Sequence, residues 1–86
     1  MSLKTEFETA VANAQKLSER PDNMTLLKLY ALYKQGSEGD NLAARPKRTA
    51  DPVGFAKWDT WDALRGTSVD DAMQQYIDLV QWLQTE

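Results

Sequence analysis

Cysteine and histidine are both absent from this chain. Without cysteine there is no disulfide framework, no thiolate nucleophile and no sulfur-ligated metal, a pattern that suits a reducing interior. Without histidine the commonest proton shuttle and the commonest metal ligand are missing as well. Paired carboxylates remain, yet the inventory as a whole argues against an enzyme and against a metal site. Long apolar runs are also lacking: nothing approaches the roughly 20 residues of a membrane span, so stable membrane insertion is not expected. The opening MSLKTEFETAVANAQKL carries early acids and no continuous apolar stretch, and reads as neither a signal peptide nor a transit peptide. The cytoplasm is the expected address. Excess positive charge is missing too. A net charge of −3 disfavours wholesale binding to nucleic acid or to an anionic membrane.

What is present fits one soluble, globular domain over residues 1–86, small enough that most of its apolar side chains must be committed to the core. Leu3, Phe7, Ala10, Val11, Ala14 and Leu17 recur at three- and four-residue spacing, which predicts a first helix from Leu3 to about Leu17. Arg20-Pro21 stops it, and Asp22 or Asn23 caps a second helix from about Asn23 to Ser37, with Gly36 and Gly39 marking its end. GSEGDNLAARPKRTADPVG holds three of the four glycines and two of the three prolines, and reads as a long loop. At roughly 3.3 Å per residue such a loop can return along a whole helix, so helices two and three are expected to run parallel. Asp51 caps the third helix with Pro52 at its first position, and Gly66 is placed to end it. Ser68 and Asp71 form a capping-box pattern before a fourth helix that carries Ala72, Met73, Tyr76, Ile77, Val80 and Leu83 on one side. No repeat and no strand pattern emerges, so the expected fold class is all-α.

The stretch LLKLYALYKQG places two phenols and an ammonium on an apolar flank. Advancing 100° per residue, Leu29, Tyr33, Leu26, Tyr30, Lys34 and Leu27 fall within about 160° of one another and are expected on the inward side. On the third helix the same arithmetic sets Lys57 between Leu64 and Trp61, with Trp58 beside them. Each residue alone has an ordinary reading: lysine stems and tyrosine rings cover apolar surface while their tips reach water, and tryptophans anchor cores. Jointly they suit a ligand that is anionic, aromatic and aliphatic in different parts. Lysines and phenols meet phosphate oxygens, a ring offers a stacking surface for a base, and the apolar positions take the aliphatic part. Two other classes share these residues. A helical protein-interaction module would use Tyr30, Tyr33 and the tryptophans as an aromatic groove, although it has no need of two lysines on apolar faces. An enzyme would draw on Asp59 and Asp62, one turn apart, which otherwise form a solvated face.

LYALYKQ (29–35), GD (39–40), RP (45–46), AKWDTWDALRGTS (56–68) and DAMQQYI (71–77), in this order, resemble the acyl-CoA-binding protein family. The resemblance implies a four-helix up-down-down-up bundle. It also implies non-catalytic binding, buffering and intracellular transport of medium- to long-chain acyl-CoA thioesters. No cofactor is implied beyond the ligand, acyl-CoA or coenzyme A itself. A monomer with transient contacts to acyl-CoA-using enzymes is the expected state. By matching position, Tyr30, Lys34 and Lys57 would contact the ribose 3′-phosphate and Tyr33 would stack on adenine. Tyr76 would lie near the pantetheine and thioester, and Leu26, Leu27 and Ala56 would line the acyl groove. There are departures. A lysine usual late in the first helix is replaced by Gln15, with Lys16 beside it, and lysines usual before Ala-Lys-Trp are replaced by Val53 and Phe55. Arg45, Lys47 and Arg48 either compensate or are solvated loop charges, and Val53 and Phe55 are candidates to extend the groove.

Overall fold

Each helix starts where a short polar side chain can satisfy an orphan amide. In the computed structural model, which describes residues 2–85, the Ser2 hydroxyl accepts from the Thr5 amide and α1 runs Leu3–Ala14. Asp22 accepts from the Thr25 amide at 2.8 Å ahead of α2, Asn23–Glu38. Asp51 accepts from the Gly54 amide at 2.9 Å ahead of α3, Pro52–Asp62, with Pro52 in its first turn. The Ser68 hydroxyl accepts from the Asp71 amide at 3.0 Å ahead of α4, Val69–Thr85. The last three are caps expected from the sequence; the Ser2 cap is not among those expectations. No strand occurs among the described residues.

Two helices end earlier than their periodicity suggests. At the end of α1 the hydrogen bonds tighten to three-residue spacing, Gln15 N–H to Ala12 C=O and Lys16 N–H to Asn13 C=O, so Leu17 lies beyond the helix. After α3 a similar turn runs from Ala63 to Gly66, where φ reaches 91° and glycine is the fitting residue. Gly36 does not mark a fraying end. It is buried within α2, and a Cβ there would lie 3.1 Å from Met73 Cγ and 3.3 Å from Phe7 Cζ. Its lack of a side chain lets α2 close onto α1 and α4.

Pairings across the helices give their directions. Lys57 lies over Tyr30 and Lys34 over Trp61, two pairs with the same 27-residue offset, so α2 and α3 run parallel. Gly36 meets Met73 while Tyr33 faces Tyr76, an antiparallel order for α2 and α4. Phe7 sits by Gly36, whereas Ala14 and Gln15 share a depression with Leu26, so α1 is antiparallel to α2. The result is the up-down-down-up bundle. Its core joins Phe7, Ala10, Leu29, Leu32, Ala72, Met73, Tyr76, Ile77 and Val80 from α1, α2 and α4.

The loop from Gly39 to Asp51 is tied down by polar side chains at its start. Fully buried Gln35 donates to Asp40 Oδ1 at 2.9 Å and to the Thr67 carbonyl at 2.7 Å, and Gly66 N–H donates to the same Asp40 oxygen. The indoles of Trp61 and Trp58 donate to the Gly39 and Ala43 carbonyls, and Asn41 donates to the Trp58 carbonyl. This network ties the loop to α3 and to the end of α2. The amide of Gly66, with the Gln35 amide and the Arg65 charge, holds the Asp40 carboxyl below the usual carboxylate range. A depressed acid stabilises the fold above its unfolded pKa of about 4 and loses that contribution as pH falls through the folded value. Asp40→Asn is therefore expected to melt with a shallower dependence on pH between about pH 5 and pH 2 than the parent, as read by circular dichroism.

Candidate functional site

The sequence arc on α2 is displaced from the deepest one. The buried residues of α2 are Leu29, Ala31, Leu32, Gln35 and Gly36, while Tyr33 is 41% exposed. α2 packs against α4 on one side and α3 on another, so its apolar positions extend around more than one face. Leu26, Leu27, Tyr30 and Tyr33 are left to border open space. Two depressions lie there. One, of about 470 Å³, is lined by Arg20 and Asn23, by Leu26, Leu27 and Tyr30 of α2, and by Pro52, Val53, Ala56 and Lys57 of α3. The other, of about 390 Å³, is lined by Val11, Ala14 and Gln15, by Leu26, Leu29, Tyr30 and Tyr33, and by Tyr76 of α4. Leu26 and Tyr30 line both, so the two form one trough with an aliphatic end and a phenolic end.

Charge enters this trough from α3. Lys57 Nζ stands 5.3 Å from the centroid of the Tyr30 ring, and no carboxylate pairs with it among the described residues. Lys34 differs: its ammonium sits 4.9 Å from the Trp61 ring centroid and is bound by the Glu38 carboxylate. The hydrogen bond to Glu38 raises the Lys34 pKa, with burial opposing, so this lysine is cationic at any physiological pH. Tyr76 is 4% exposed, and burial, reinforced by Tyr33, pushes its phenol upward. It stays a neutral hydroxyl. The Tyr33 ring stacks at 6.1 Å on Phe7 while part of it remains open to solvent, which is what a stacking platform requires.

The structure thus brings together Tyr30, Leu26, Leu27, Ala56 and Lys57 at one end, and Tyr30, Leu26, Tyr33, Tyr76 and Gln15 at the other. Lys34 lines neither depression and is turned toward Trp61 and Glu38. Val53 lines the aliphatic end, but Phe55 does not. Phe55 is instead flanked by the guanidinium groups of Arg45 at 5.2 Å and Arg48 at 5.7 Å, and Arg45 also lies 5.9 Å from the Trp58 ring. Those arginines, together with Lys47 and Lys16, lie outside the trough. Residue patterns placed Arg20 and Asn23 only at helix ends and did not single out Glu38, Arg20 or Asn23 as site residues; Glu38 had a local signal, its four-residue spacing from Lys34. No group of residues suited to a metal ion occurs among the described residues.

Similarity to known proteins agrees with this geometry. The family model described as acyl CoA binding protein matches residues 4–80. Acyl-CoA-binding protein homolog 1 of Caenorhabditis elegans is 46% identical over 77 residues, which cover 90% of this chain and 88% of that protein. Acyl-CoA-binding protein of Brassica napus is 42% identical over 83 residues, covering 96% of this chain and 89% of that one. The crystal structure of Oryza sativa acyl-CoA-binding protein 2 superposes with a TM-score of 0.92 at 36% identity, covering 98% of this chain and 92% of that one. Matched in sequence over most of its length and in the course of all four helices, the chain belongs to the acyl-CoA-binding protein family.

Proposed function

We propose that this chain, a single acyl-CoA-binding domain over residues 1–86, binds medium- to long-chain acyl-CoA thioesters without reacting with them, and so buffers and carries them. The observation that carries the reading is the Lys57 ammonium over the Tyr30 ring, where the aliphatic and phenolic ends of one trough meet. An amphiphile laid along the trough places its acyl chain against Leu26, Leu27, Ala56 and Val53. Its 3′-phosphate is assigned to Lys57, Tyr30 and, after a change of side-chain direction, Lys34. The adenine stacks on Tyr33, and the pantetheine and thioester pass Tyr76. Gln15 supplies a neutral amide where the family resemblance implies a lysine. The ligand is a cargo; the protein works as a monomer in the cytoplasm and meets acyl-CoA-using enzymes only in passing.

Titration calorimetry with palmitoyl-CoA is expected to give saturable one-to-one binding, with no thiol released on standing. Absence of both heat and displacement of a fluorescent acyl-CoA would sink the proposal. It would return the trough to the alternative of a groove for a partner helix.

A further inference from the structure

We propose that Glu38 is an internal competitor for the Lys34 ammonium, an affinity-limiting residue that a ligand phosphate must displace or share. The inference rests on the acyl-CoA reading above and concerns how its phosphate subsite is set. Of the two lysines assigned to that phosphate, Lys57 has no carboxylate partner among the described residues, while Lys34 is bound by Glu38. Glu38 closes α2 one residue before Gly39, whose φ of 81° turns the chain away, and its side chain is 53% exposed. The carboxylate is therefore not fixed by packing and is free to swing off.

Lys34 keeps a second support when it does. The Trp61 ring at 4.9 Å attracts the ammonium through its face, and Trp61 is itself buried and tied by its indole to the Gly39 carbonyl. Trp61 thus holds the cation outside the two depressions, with or without Glu38, until a ligand phosphate draws it across. A phosphate approaching it meets a like charge one side chain away, in solvent-exposed surroundings where such effects are modest. The neutrality of Gln15 makes the competition count, because no cation lines the phenolic end.

The test compares Glu38→Gln with the parent by titration with palmitoyl-CoA and with its 3′-dephospho analogue. The variant is expected to bind palmitoyl-CoA about two- to fivefold more tightly at low salt, the range of exposed ion-pair energies. The gain should shrink at about 1 M salt, where the Debye length is about 3 Å, and vanish with the dephospho analogue. Unchanged or weaker binding overturns the inference, since Glu38 would then be irrelevant or would position Lys34 for the ligand. An equal gain with both analogues overturns it too, because the competition would not involve the phosphate assigned to Lys34. Lys34→Ala separates this from the reading it rests on. If that variant loses affinity while Glu38→Gln is unchanged, only the competition is wrong. If neither substitution alters binding, the phosphate does not lie at Lys34 and the competition falls with that assignment; only a parent that fails to bind palmitoyl-CoA at all takes the acyl-CoA reading with it.

Discussion

Palmitoyl-CoA is expected to bind at least a thousandfold more tightly than either free coenzyme A or free palmitate. Burying a methylene is worth about 0.8 kcal/mol, so roughly 14 methylenes offer about 11 kcal/mol gross. A chain lying in an open groove is covered mainly on the protein side. Halving the sum for that reason leaves about 5 kcal/mol before ordering losses, or between three and four decades in affinity. Losing the headgroup is comparable: charge-assisted bonds to phosphate contribute about 1.5–3 kcal/mol each, and stacking of the base about 1–3 kcal/mol. Separate titrations with the three compounds check this. Equal affinity for coenzyme A and palmitoyl-CoA would remove the acyl groove formed by Leu26, Leu27, Val53 and Ala56 from the account.

Lys57→Ala is expected to weaken palmitoyl-CoA binding about ten- to a hundredfold, the loss of one charge-assisted contact. Lys34→Ala should weaken it less. The difference follows from the ion pairs: the Lys57 ammonium has no internal carboxylate to leave, whereas the Lys34 ammonium gives up Glu38 in exchange for the ligand. Lys57 is exposed and its stem lies along the groove, so its removal should leave the helical circular dichroism and the melting temperature nearly unchanged. A large fall in melting temperature with unaltered affinity would instead assign Lys57 the task of shielding apolar surface.

Much of this was legible in the residues because caps and proline act locally. Asp51-Pro52 and Ser68 fix helix starts through bonds within one turn, and the loop is long enough to permit the return that makes α2 and α3 parallel. The face of α2 was less legible. Its apolar positions serve contacts with both α3 and α4, so their average direction points between those contacts, toward the trough. Gly36 was misleading for a related reason: a glycine near a helix end suggests a stop, yet here it serves a close approach of Met73 and Phe7 from distant segments. Phe55 and the loop arginines were unreadable as partners, since the stacking of Arg45 and Arg48 on that ring depends on how the loop folds back. The bond from Glu38 to Lys34 has a four-residue spacing in the sequence, but its meaning appears only once Trp61 is seen holding the same ammonium.

A crystal structure of the protein with palmitoyl-CoA tests the central claim most directly. The account predicts the 3′-phosphate within hydrogen-bonding distance of Lys57 and the Tyr30 hydroxyl, with adenine on Tyr33 and the acyl chain along Leu26, Leu27 and Ala56. A saturated complex with the trough empty, or with the ligand on another face and Lys57 directed into solvent, would contradict it.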